Sequence, residues 1–146
     1  MASGSWMIHE VRLSIRWRDL DAYGHVNNAV YLNYLEECRD RMVEDLFGVD
    51  GGWDFVLARV EIDFRSEVTQ RDHDVIARCW VASVGRSSVR TREEIRKLDG
   101  TVAAEAGSVI VPRDPGGSGS RPLSPAERAV LVAAIEEPRA DAPAGS

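Results

Sequence analysis

Residues 19–48 read DLDAYGHVNNAVYLNYLEECRDRMVEDLFG, and the later part of this run has a helical period. Tyr31, Leu35, Cys38, Met42 and Leu46 recur at steps of four and three, which stacks them into one apolar stripe. Asp40, Arg41, Glu44 and Asp45 fall largely off that stripe. The spacing predicts a helix from Asn28 through Phe47, with Gly48 where a C-terminal cap belongs. The earlier part is a polar loop. It gathers two carboxylates, a histidine and two asparagines at the helix N-terminus, where free N–H groups and the helix dipole favour negative charge.

Working outward, the flanking segments alternate with period 2. Val11, Leu13, Ile15 and Trp17 alternate with Arg12, Ser14 and Arg16, which predicts a first strand with Trp17 on its apolar side. Beyond the helix, Val56, Ala58, Val60, Ile62 and Phe64 alternate with Leu57, Arg59, Glu61, Asp63 and Arg65. Residues 74–84 are more uniformly apolar, as in a central strand. Gly85-Arg86-Ser87 makes a tight turn, residues 88–98 alternate again, and Asp99-Gly100 signals a hairpin into a last strand over 101–111. The Val89, Thr91, Ile95 face continues onto Glu93: facing inward it needs a partner, and a pocket position or a bulged strand are the other readings. All six prolines stand at 112 or later, so the earlier chain is free for regular structure. Residues 112–122, with GGSGS, read as a flexible connection. Ser124-Pro125-Ala126-Glu127 is a capping box that opens a short helix to about Glu137. The order is strand, long helix, then four strands. This implies an α+β domain, with one central helix wrapped by a five-stranded antiparallel sheet. The domain is expected over 9–137, between an N-terminal extension (1–8) and a frayed tail (138–146).

Composition narrows the function. The chain has 146 residues, which suits one domain. A net charge of −6 argues against general nucleic-acid binding, which relies on basic residues neutralising phosphates. No apolar run is long enough for a membrane span, and no export signal is visible. Cys38 and Cys79 are at no metal spacing, so they are expected to be reduced, buried thiols in a cytoplasmic protein. A calcium loop from Asp19 fails because its twelfth position is Val30. P-loop, nucleophile-elbow and dinucleotide fingerprints are absent from the sequence.

The run DLDAYGHVNNAVYLNYLEECR closely resembles the D-x-D-x-x-G-H-V-N-N-x-x-Y-x-x-Y-x-E signature of hotdog-fold acyl-CoA thioesterases, in the branch related to 4-hydroxybenzoyl-CoA thioesterase. The element order, the Gly85-Arg86-Ser87-Ser88 turn and Arg121-Pro122 before a final helix also match that family. The resemblance implies hydrolysis of an acyl-CoA to free acid and CoA, with no metal or other cofactor. It assigns Asp21 as nucleophile or as base for water, and the Asn28 backbone amide as oxyanion donor. Tyr23, Gly24, His25, Asn27 and Tyr31 are then expected at the substrate. Arg86, with Ser87 and Ser88, is expected at the CoA phosphates; residues 85–97 carry a local net charge of +3 (five basic, two acidic) in this acidic chain. The resemblance also implies a homodimer joining two sheets side by side, or a tetramer, with each site built from both subunits.

Other readings accompany this one. Asp19 reads as a structural loop and cap residue, a common task for Asp before a helix. Glu36 and Glu37 are rival catalytic carboxylates, since other hotdog branches place theirs on the helix. Their bland reading is a solvated or interface face. Tyr31 and Tyr34 read as core and pocket wall, and Cys38 as packing. Trp17, Tyr23, Tyr31, Tyr34 and Trp53 are candidates for an aryl pocket, although aromatic residues also fill cores. The same chemistry on an acyl-carrier protein is one alternative function. A non-catalytic acyl-CoA binder on the same scaffold is another.

Overall fold

The computed structural model describes residues 7–48, 54–117 and 119–136. Trp53 and the expected tail over 138–146 lie outside them, as do the first six residues of the N-terminal extension. The elements run β1 (His9–Ser14), α1 (Asn28–Phe47), β2 (Phe55–Phe64), β3 (Asp74–Val84), β4 (Val89–Lys97), β5 (Val102–Pro112) and α2 (Pro125–Ala133). The strands form one antiparallel sheet in the order β1-β3-β4-β5-β2. α1 packs on β1, β3 and β4. The expected α+β architecture is therefore present, with the helix bounds as the apolar period places them.

The apolar stripe of α1 supplies the helix side of the core. Tyr31, Leu35, Cys38 and Met42 are buried against Val75, Ala77, Cys79, Val89 and Ile95 of the central strands. Gly48 ends the helix at φ 87, a conformation that costs other L-residues energy. Both cysteines are free and fully buried. Cys38 donates its S–H to carbonyls of His9 and Ala77, and burial holds the Cys79 thiol above its ordinary range.

The first strand is shorter than its alternation suggests. β1 stops at Ser14 and the chain turns through a 3₁₀ segment at Trp17–Asp19, which leaves Trp17 84% exposed instead of on the buried side. The Arg16–Asp19 capping interactions favour this turn over one more step of strand. Glu93 does face the core, and its strand is regular at that point, opposite Cys79 and Ala106. Thr91 and Ser108 donate hydroxyl hydrogen bonds to its carboxylate (2.7 and 3.0 Å), and the Arg39 guanidinium of α1 stands 3.4 Å away. The buried charge thus has its partner on the helix, where the sequence period alone does not place it.

The sheet has two differently treated edges. At the β1 edge, Ile135 beyond α2 bridges Val81, and the Glu136 N–H donates to the Val81 carbonyl, so the stretch of β3 past β1 is partly covered. At the other edge β2 is ten residues long and pairs only with β5 among the described residues. Leu57 and Phe64 on it are close to half exposed.

Candidate active site

Asp19 organises the approach to α1. Its carboxylate is buried and accepts from the Arg16 N–H (2.9 Å), the Arg16 guanidinium and the Tyr34 hydroxyl (2.8 Å). Burial pushes this carboxyl up, but the Arg16 N–H, the Tyr34 hydroxyl and the Arg16 charge outweigh it and hold the group below the ordinary Asp range. Tyr34 is shifted up by burial and by that same carboxylate. The Asp19 carbonyl also accepts from the Asn27 N–H at 2.9 Å, which fixes where the helix begins.

Asp21 shapes the turn that follows. Its Oδ1 accepts from the N–H groups of Tyr23 (2.8 Å) and His25 (3.2 Å), and its backbone N–H donates to the His25 carbonyl. Closing so tight a turn needs Gly24 at φ 82. The loop docks on the chain after β2 through the Val26 N–H to the Val68 carbonyl and a bridge between His25 and Thr69. Among the described residues, no hydrogen-bond donor occupies Asp21 Oδ2.

The first turn of α1 completes the arrangement. Asn27 is the N-cap: its side-chain oxygen accepts from the Ala29 N–H at 2.9 Å and its carbonyl from the Val30 N–H. The Asn28 N–H has no partner among the described residues, as the first helical amide commonly does not. Asp21, His25, Asn28 and Tyr31 line one cleft of about 230 Å³. Its opposite wall is Phe64, Arg65, Ser66, Glu67 and Val68. Tyr31 and Phe64 meet edge to face with ring centroids 5.1 Å apart, and burial raises the Tyr31 hydroxyl pKa. Glu67 faces His25 Nε2 at 3.0 Å. An anion-favouring helix end, Asp21, the Tyr31–Phe64 ring pair and the polar Arg65, Ser66 and Glu67 therefore share one opening.

The sequence assignments separate in space. Tyr23 turns outward at 83% exposed, Gly24 serves the turn, and Asn27 caps the helix, so none of these three lines the cleft. Glu36 and Glu37 are exposed on α1, also outside it. The wall 64–68 carries no signal in the sequence; it is brought there because β2 runs toward the end of the sheet where α1 starts. Arg86, Ser87 and Ser88 lie at the other end. β3 leaves the cleft end at Asp74, opposite Ser14, and delivers the turn after Val84. That is a span on the order of 30 Å at strand geometry. Among the described residues, no three His, Cys, Asp or Glu side chains group to hold a metal ion, and no helix is long and apolar enough to cross a membrane.

The thioesterase-like superfamily profile matches residues 15–134. A thioesterase from Thermus thermophilus, determined with coenzyme A and zinc, is 34% identical over 86% of this chain and 93% of its own, with a TM-score of 0.75. A Xanthomonas campestris protein, provisionally named an acyl-CoA thioesterase, is 31% identical over 76% of this chain and 97% of its own, with a TM-score of 0.63. A predicted thioesterase from Bacillus stearothermophilus shares the fold at a TM-score of 0.80 and 24% identity, over 90% of this chain and 99% of its own. Among curated proteins, none matches the chain.

Proposed function

Because the chain belongs to the thioesterase-like superfamily, we propose that it hydrolyses acyl-CoA thioesters to a free carboxylic acid and CoA. The observation that carries this reading is that Asp21 and Asn28, the first residue of α1, line one cleft, with no partner for the Asn28 N–H among the described residues. A thioester carbonyl placed between them meets a carboxylate on one side and an N–H donor on the other. Asp21 then attacks the carbonyl carbon, or takes a proton from water that attacks it. Either way the carbonyl oxygen gains charge beside the Asn28 amide, at the positive end of α1. Collapse breaks the C–S bond and releases the CoA thiolate, which takes a proton from solvent. By the first route the acyl-Asp21 anhydride is then hydrolysed by water. The hold of Tyr23 and His25 amides on Oδ1 fixes the carboxylate while Oδ2 faces the substrate.

The working unit is a homodimer paired through β2. Identical edge strands related by a twofold pair antiparallel, so the cleft end of one sheet adjoins the Arg86 end of the other. This arrangement covers the exposed ten-residue edge. It also moves the partner copy's turn toward Asp21, where its guanidinium can serve the CoA phosphates. The Thermus relative's complex with coenzyme A supports the choice of CoA as carrier. The test is release of free thiol from a panel of acyl-CoA esters. Turnover of at least one ester supports the reading. Binding of CoA without turnover of any ester would leave a non-catalytic binder.

A further inference from the structure

The Gly85–Ser88 turn is not held by its own hairpin alone. The Gly85 N–H closes it on the Ser88 carbonyl at 2.8 Å, and a Cβ at Gly85 would meet Ser88 Oγ at 2.9 Å, so the turn is tight. The segment after β5 then grips it from outside. The Leu123 N–H donates to the Arg86 carbonyl at 3.0 Å. Arg128 Nη2, from the first turn of α2, donates to the Gly85 carbonyl at 2.7 Å and approaches the Arg86 carbonyl at 3.4 Å. The gripping segment is itself braced. Arg121 forms a two-pronged ion pair with Glu127 (2.8 Å on both prongs), and Glu127 also accepts from the Ser124 N–H in the capping box. These contacts engage the backbone of Arg86 and leave its side chain exposed, with no partner among the described residues.

We propose that Arg128 is a positioning residue for CoA recognition: it holds the Arg86 backbone so that the free guanidinium is presented to the phosphates of CoA. This inference rests on the acyl-CoA reading above. A charge-assisted hydrogen bond to a backbone carbonyl orders the turn before ligand arrives, and preorganisation of that kind shows as affinity. Arg128 is tied to the turn at the end of the sheet remote from its own protomer's cleft, so it acts on the CoA end of the substrate and leaves the reacting carbonyl alone.

The experiment compares two substrates with the same acyl group, one on CoA and one on N-acetylcysteamine, which lacks the phosphates. Arg128→Met is expected to raise KM for the CoA ester ~10-fold, the scale of one hydrogen bond to a charged group. Its kcat, and its KM for the truncated ester, stay near wild type. Arg128→Lys, which keeps a cationic donor, recovers part of the loss. Arg86→Met gives the same pattern, and the Arg86→Met/Arg128→Met double variant is no worse than Arg86→Met alone, because both act through one side chain. Equal KM increases for the two esters would show a merely structural role and overturn the proposal. So would an unchanged CoA-ester KM in Arg128→Met when Arg86→Met raises it. An unchanged KM in both variants, with wild type active, would overturn the CoA role of the turn and the proposal with it. Wild type inactive on both esters would instead overturn the acyl-CoA reading itself.

Discussion

Asp19 commits both carboxylate oxygens to the fold, whereas Asp21, two residues on, lines a cleft and has no donor on Oδ2 among the described residues. Asp19→Ala would strip the buried Tyr34 hydroxyl and the Arg16 N–H of their acceptor. The expected loss is about 2–3 kcal/mol in denaturant unfolding, the scale of buried groups left unsatisfied. Because the folded-state Asp19 carboxyl lies below its ordinary value of 3.8, its stabilisation is present above that pH and is lost as pH falls below it. Gly24→Ala places a Cβ in open space but at φ 82, so strain alone is felt. Thermal or denaturant unfolding should show a cost of about 1–2 kcal/mol. The two aspartates share one motif, and their division of labour follows from the 3₁₀ turn at Trp17–Asp19, which the alternation of the first strand conceals. Asp21 and Asn28 were legible as a pair only through the family signature they sit in, because the residues alone read as well as loop and cap positions before a helix. Phe64 to Val68 were not, since only the sheet order carries them across.

The helix α1 was legible in its bounds and its C-cap, for its stripe and Gly48 are local signals, but its N-cap, Asn27, was not. Nor was what holds its middle. Glu93 stands out on its strand face without a visible partner, and nothing in the helical period marks Arg39; they answer each other only once the helix crosses β4. Removing Glu93 alone leaves Arg39 nearly buried without its countercharge, so Glu93→Leu should cost about 3–5 kcal/mol. The double variant Arg39→Met/Glu93→Leu should recover much of that loss, measured by denaturant unfolding of all four proteins in the cycle. On α2, the Arg121 guanidinium, ahead of the Ser124 amide, holds the Glu127 carboxyl at about 2, well under its ordinary 4.5. Its contribution to stability is complete above 4.5 and disappears as pH falls toward 2. Glu127→Gln should therefore flatten the acid side of the melting-temperature profile between those limits.

Over the whole molecule, one protomer carries the cleft and the Arg86 turn at opposite ends of its sheet. If both serve one CoA ester, as proposed above, the site needs a second copy, so light scattering at micromolar concentration should give at least the dimer mass. Complementation tests the shared site: Asp21→Asn and Arg86→Met protomers, mixed and allowed to exchange, form mixed dimers with one intact site. At equal mixing and low acyl-CoA concentration, about a quarter of wild-type activity should return, since half the dimers are mixed and each has one good site of two. The role of Asp21 is tested most directly by thiol release from the best acyl-CoA, by wild type and Asp21→Asn side by side, with circular dichroism to show that both are folded. The folded variant should lose about 10²-fold or more in kcat, the range for removal of an acid–base group. A folded Asp21→Asn protein with wild-type kcat would contradict that role and would move the chemistry to a carboxylate outside the cleft, Glu36 or Glu37.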